Sequence, residues 1–236
     1  MTKACVLLLT ALLPALGAAV PCAAQGTQVY LTWRAPYGTP RAVDVLAAPC
    51  VEDSTVRDTL YIAFQTGRDA PRLYGFEGTL VFRAALGDTL GSNWFFGGGE
   101  VNRRNVRVEW LSDSTVWGTL ACPWKSVGTG LTNYERSQAA GRLRLMYAVP
   151  DGSPVRGGVT YGYARVIVPR ALRGQAGCDR PLCVEWADTN VAYELEAGGE
   201  VRGAGGPRFA SLNAPSACRD FQGARAVPAW KPPGSR

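Results

Sequence analysis

Residues 74–83 read YGFEGTLVFR. Phe76, Gly78, Leu80 and Phe82 take every second position, with Glu77, Thr79, Val81 and Arg83 between them. A period of two marks a β-strand with one face in a core and one in water. A helix would scatter the same apolar residues around its circumference. The reading places Glu77, Thr79, Val81 and Arg83 on the outer face.

The pattern recurs to either side. Val29–Trp33 (VYLTW) is a first strand, broken by APYGTP at 35–40. Residues 58–66 (DTLYIAFQT) put Leu60, Ile62 and Phe64 on one face, and GRDAP at 67–71 turns the chain. Residues 105–111 set Val106, Val108 and Trp110 against Arg107 and Glu109. Residues 142–149 set Leu143, Leu145, Tyr147 and Val149 against Arg142 and Arg144. Residues 159–168 (VTYGYARVIV) are rich in aromatic and β-branched side chains, and 182–186, 191–195 and 208–212 complete the set. Only 133–140 (NYERSQAA) reads as a short helix. Roughly nine strands joined by Gly- and Pro-rich turns predict an all-β, antiparallel, jelly-roll-like β-sandwich, with a loop-rich insert and a C-terminal arm.

Composition narrows the chemistry. The 236 residues include no histidine, which excludes a His-based triad, a His-ligated zinc and a His pH switch within this chain. The net charge is +6. Many arginines adjoin an acid (Arg57–Asp58, Arg68–Asp69, Glu135–Arg136), and no basic run points to nucleic acid. The first 24 residues read as a leader: Met1–Thr2–Lys3, an apolar run from Val6 to Leu16, then Cys22–Ala23–Ala24 before Gln25. The run is too short for a good membrane span, and no second one exists. A lipid on Cys22 would want a leucine and a small residue ahead of it, and Ala19–Val20–Pro21 fits poorly. The expected location is secreted or periplasmic.

The strand order from Asp58 to Leu212 resembles cohesin-like modules, which share a jelly-roll sandwich with many carbohydrate-binding modules. The resemblance rests on Asp58–Phe64 (DTLYIAF), Tyr74–Phe82 (YGFEGTLVF), Gly141–Ala148 (GRLRLMYA) and Gly158–Val168 (GVTYGYARVIV). Arg83–Asp88 (RAALGD) stands where that family carries an Asp-Pro pair. The resemblance implies a cohesin-like sandwich over 58–213 that recognises a protein or glycan partner without catalysis. Around it lie the signal peptide at 1–24, an N-terminal strand and connection at 25–57, and a Pro/Arg-rich arm at 214–236. Fold alone does not set function, so two alternatives stand beside this one. The first is an accessory subunit packed on an extracytoplasmic membrane-associated complex. The second is a carboxylate-based glycoside hydrolase.

Loss of the leader leaves Cys50, Cys122, Cys178, Cys183 and Cys218. Cys178-Asp-Arg-Pro-Leu-Cys183 suits a short loop clipped by a disulfide. Cys50 with Cys218 would then tie the arm to the body and leave Cys122 over, buried or bonded to another molecule. Asn93-Trp94-Phe95-Phe96-Gly97 cannot turn three successive rings to one face of a strand. Trp94, Phe95 and Phe96, with Trp117, Trp124 and Tyr134 in neighbouring loops, are candidates for a partner-binding surface. The competing reading is a loop that plugs the end of the sandwich. The acid/base candidates are Glu109, Glu185, Glu194 and Glu196, and nothing in the spacing pairs them. No cofactor is expected, although loop oxygens around Asp151 or Asp188 leave room for a structural calcium.

Overall fold

A computed structural model describes residues 26–84, 90, 106–110, 120–124, 128–136, 140–174, 178, 180–194, 200–202, 208–213 and 218. The alternating stretches are strands. In chain order they are β1 (Gln28–Trp33), β2 (Val45–Leu46), β3 (Arg57–Gln65), β4 (Ala70–Ala84), β5 (Arg107–Trp110) and β6 (Thr129–Arg136). There follow β7 (Ala140–Val155), β8 (Thr160–Pro169), β9 (Leu182–Glu194), β10 (Glu200–Arg202) and β11 (Arg208–Leu212). Two sheets result. One runs β1-β3-β8-β5; the other runs β2-β11-β9-β4-β7-β6, with β10 also paired to β9. Every pairing is antiparallel except the short one between β11 and β2. No helix among the described residues is long and apolar enough to cross a membrane.

The two inner faces meet in one aromatic core. Leu60, Ile62 and Phe64 of β3 face Phe76, Leu80 and Phe82 of β4, and all six are buried. Phe64 stacks on Phe76 at 4.5 Å between centroids, and Phe76 lies 4.7 Å from Tyr163. Each such side chain contributes about 1.5–3 kcal/mol by leaving water. Tyr163 brings a hydroxyl into this core and donates it to the Phe76 carbonyl at 2.9 Å. Burial, reinforced by the Glu77 carboxylate, pushes its pKa well above the usual tyrosine value.

Two irregularities shape the core. Between Ile62 and Ala63 the β3–β8 register shifts, so that Ile62 pairs with Ala164 and Ala63 with Gly162. Tyr163 is the extra residue of this bulge and points across to the other sheet. On β9, Glu77 pairs with Asn190 and Thr79 with Ala187. Asp188 takes the left-handed conformation there (φ 55°), and Trp186 Nε1 donates to Thr189 Oγ1 at 2.8 Å. This bulge is why the two strands expected at 182–186 and 191–195 are one strand.

Three expectations are corrected. Residues 133–140 do not form a helix: β6 takes 129–136 as an edge strand on β7, with Tyr134 opposite Leu143 and Thr132 opposite Leu145. Its polar character follows from the edge, where Leu131, Asn133 and Glu135 are exposed. Val81 lies on the outer face as expected but is 2% exposed, between Glu185 and Arg142 of the neighbouring strands. The disulfides pair differently from the expected scheme. Cys50 bonds Cys178 and Cys183 bonds Cys218, with Cα–Cα distances of 5.4 and 5.2 Å. Cys183 is the second residue of β9, opposite Ser211 of β11, and its buried side chain meets Cys218 of the arm there. Cys122 takes part in neither bridge. The leader at 1–24 and the arm, apart from Cys218, lie outside the described residues.

Candidate functional site

Alternation along β1, β3, β8 and β5 turns a second set of side chains outward, and the registers align them in rows. Thr32, Tyr61, Arg165 and Glu109 form one row across the four strands. Tyr30 and Ala63 begin the next, and Gln28, Gln65 and Thr160 form a third.

The chain after β1 folds back over this face. Arg34 (φ 69°) and Gly38 (φ 83°) take left-handed conformations, and the buried Thr32 hydroxyl donates to the Ala35 carbonyl at 2.8 Å. The fold-back lays Tyr37 flat on Tyr30, with ring centroids 3.9 Å apart and planes 16° from parallel. Such a pair contributes about 0.5–1.5 kcal/mol beyond burial. Tyr37 nevertheless remains 39% exposed. Tyr30 and Tyr61 pack with Ala63 and Leu120 into a small apolar cluster separate from the main core.

Charge sits at the other side of the face. Glu109 bonds both Arg165 and Arg107. Two guanidinium groups share one carboxylate, so the trio carries one net positive charge. The Arg107 side chain is 75% exposed and that of Arg165 27%. The outer face of the other sheet is built differently. Arg83 pairs with Glu185 at 2.8 Å, Arg144 with Glu77, and Arg72 with Glu194 at 3.5 Å. Each of these three acids meets its own base, as on a solvated charged face.

The sequence candidates separate. Trp94, Phe95, Phe96 and Trp117 lie outside the described residues. Trp124 is 1% exposed, packed 5.0 Å from Tyr147 and 6.1 Å from Phe64. It is a core plug, and its partner-binding role is withdrawn. Tyr134 is half-buried and lies over Gly141, where a Cβ would stand 2.0 Å from its hydroxyl. The structure does not bring Trp124 and Tyr134 onto the tyrosine–arginine face. The acids do not converge either. Glu109 lies on one outer face and Glu185 and Glu194 on the other. Glu185 and Glu194 stand nine residues apart on one strand, up to about 30 Å. Glu196 is outside the described residues. Among the described residues no three Cys, Asp or Glu gather at metal-binding distance.

Tyr30, Tyr37, Tyr61 and Arg165 do not stand out from sequence. A signal for two of them is nevertheless present: Tyr30 and Tyr61 hold outward positions of strands whose inward positions are plain. A large aromatic on the watered face of a strand needs a covering or a partner.

No protein-family model and no curated protein matches the chain. Solved structures do. A cohesin module from a family 33 glycoside hydrolase of Clostridium perfringens aligns over 79% of this chain and 98% of its own, at 9% identity and TM-score 0.37. A chain of a type I cohesin–dockerin complex from Clostridium thermocellum aligns over 79% of this chain and 93% of its own, at 7% identity and TM-score 0.38.

Proposed function

We propose that this chain is an exported, non-catalytic binding module that docks a partner outside the cytoplasm through the outer face of its four-stranded sheet. The observation that carries the reading is the row of Tyr61 beside the Arg165–Glu109–Arg107 trio, next to the Tyr30–Tyr37 stack. Tyrosine and arginine dominate binding hot spots because each combines large contact area with directional hydrogen bonds. The unbalanced arginine favours a partner whose surface is acidic. Two disulfides and the leader-like residues 1–24 support export into an oxidising space. The proposed mature chain begins at Gln25.

The test uses position-specific photocrosslinking, because after loss of the leader an amine reagent would find Lys125, Lys231 and the N-terminal amine alone. A benzophenone side chain replaces Tyr37 in one variant and Arg144, on the opposite face, in another. The expected result is a discrete adduct from position 37, absent from position 144 and lost on Arg165→Glu. Equal crosslinking from both faces, or none from position 37, overturns the reading.

A further inference from the structure

Where β1 begins, β3 ends and β8 begins, the four-stranded sheet closes on a recess of about 150 Å³. Gly26, Gln28, Gln65, Thr66, Gly67 and Gly158 line it. None of the six is charged and none is a large apolar residue. We propose that this recess is a subsite for one neutral sugar residue.

The lining decides the ligand class. An anion would need a cation or a row of aimed donors, and no arginine or lysine is among the lining residues. Among the charged residues near it in sequence, Arg68 lies over the Tyr193 ring at 5.4 Å, Asp69 accepts the Gly157 N–H at 2.7 Å, and the exposed Arg156 is not part of the lining. A lipid or aromatic ligand would need apolar walls, which the recess lacks. A neutral ring carrying several hydroxyls offers donors and acceptors side by side, as amides do.

The two glutamines are held ready for it. The Gln65 Nε2 donates to the Gly158 carbonyl, and the Tyr30 hydroxyl bridges Gln65 Oε1 at 2.9 Å and Gln28 Oε1 at 2.6 Å. A carboxamide has two N–H donors and two lone pairs. The bonds named here use one donor and one lone pair on Gln65, leaving one of each. One hydroxyl proton serves a single oxygen; the Gln65 Nε2 bond to Gly158 fixes Gln65 Oε1 toward the tyrosine, so Gln28 turns its NH2 toward the tyrosine oxygen. Both side chains are thus oriented before a ligand arrives, which lowers the ordering cost of binding. Gly26, Gly67 and Gly158 keep the walls to bare backbone, so a ring can approach main-chain N–H and C=O groups closely. The Tyr30–Tyr37 stack adjoins the recess through the Tyr30 hydroxyl and gives the C–H face of a neighbouring ring an aromatic surface.

The subsite shares the Tyr30–Tyr37 stack with the docking face but not the Arg165–Glu109–Arg107 trio, so Arg165→Glu tells failure of one from failure of the other. The test uses the mature chain and nuclear magnetic resonance of the Gln28 and Gln65 side-chain amides and the Gly67 and Gly158 backbone amides. The probes are glucose, galactose and N-acetylglucosamine as neutral rings, glucuronate as an anionic ring, and acetyl-Gly-Gly-amide as a peptide. At least one neutral sugar is expected to shift these resonances saturably, and more tightly than glucuronate or the peptide. Gln65→Ala is expected to weaken that binding about tenfold, the equivalent of one or two hydrogen bonds. Gln28→Ala, at an exposed position, gives a second test should Gln65→Ala disturb the fold. Arg165→Glu should leave sugar binding unchanged. Shifts with none of the neutral sugars, shifts confined to residues away from the recess, or tighter binding of the peptide or glucuronate would each overturn the assignment.

Discussion

Gly78→Ala is the sharpest test of the packing, because two physical effects predict opposite signs. Gly78 lies in β4 with ordinary backbone angles, and an alanine there would restrict the unfolded chain. Without a clash, that restriction would stabilise the protein by about 0.4–1 kcal/mol. The structure predicts the reverse. A Cβ at position 78 would stand 2.0 Å from Trp186 Cζ2, 2.5 Å from Cε2 and 2.9 Å from Cη2. Carbon atoms pack at about 3.5–4.0 Å, so the indole must move by roughly 1.5 Å. It has little room: Phe76 and Tyr163 each lie 5.9 Å from it, centroid to centroid. Its Nε1 is also tied to Thr189 Oγ1 at 2.8 Å. Overpacking costs about 1–3 kcal/mol, and a strained buried hydrogen bond adds about 1 kcal/mol. The expected loss is about 3 kcal/mol, read as a shift of about 1 M in the urea midpoint at an m-value of about 3 kcal/mol/M. Trp186→Leu removes the colliding atoms. The double variant should therefore be more stable than the sum of the two single losses by at least about 1 kcal/mol. A Gly78→Ala midpoint at or above the parent's, or strict additivity with Trp186→Leu, would refute the placement of the indole across Gly78.

Three further outcomes follow from particular contacts. Non-reducing peptide mapping should recover Cys50–Cys178 and Cys183–Cys218. A protease cutting before Asp179 is needed, because the Arg180–Pro181 bond resists trypsin, and recovery of Cys178–Cys183 refutes the pairing. Tyr163→Phe should cost about 1–2 kcal/mol in urea titrations by leaving the Phe76 carbonyl without its donor. The folded state holds the Tyr163 proton more tightly than the unfolded state, so this group's stability is complete below the unfolded tyrosine value. That stability falls as pH rises above about 10, and the phenylalanine variant should lose part of the slope. Arg170 Nε donates to Asp58 Oδ2 at 2.8 Å, and the Asp58 side chain is 5% exposed. Asp58→Ala should therefore cost about 3 kcal/mol by stranding a largely buried guanidinium, and a change in midpoint equivalent to less than about 1 kcal/mol would refute a structural role for the pair.

Period-two alternation makes the sandwich legible because each inward residue lands in the core. Leu60, Ile62, Phe64, Phe76, Leu80 and Phe82 can be assigned without any knowledge of partners. What alternation cannot reveal is an extra residue. The bulges at Tyr163 and near Asp188 change which residues face one another, and neither has a glycine at the left-handed or inserted position to mark it. The edge strand β6 escapes a sequence reading for a related reason. Gly130, Thr132 and Tyr134 share one face of β6, yet Thr132 is exposed and the Trp110 indole occupies the space above Gly130. A Cβ on Gly130 would stand 2.0 Å from Trp110 Nε1. The apolar side of that strand is supplied by its neighbours, so the segment shows no period of its own.

The same logic separates binding aromatics from packing aromatics. Trp124 follows a proline and sits between loop-like stretches, which from sequence makes it a fair surface candidate. In the fold, Pro123 and Trp124 are both buried, and the indole closes the end of the core beside Tyr147 and Tyr163. Tyr37 also lies in a Pro/Gly-rich loop and also packs on a ring, yet it keeps 39% of its surface in water. The difference lies in the sheet face over which each loop folds. Trp124 enters between the sheets, where the competing demand is to fill volume. Tyr37 lies on the outside of one sheet, where Tyr30 is the ring that packs on it among the described residues. Local sequence dictates that a chain turns, but the face it covers depends on registers set by strands far away in the chain. A search for binding residues in folds of this kind should therefore begin from outward strand positions and then ask which loops reach them.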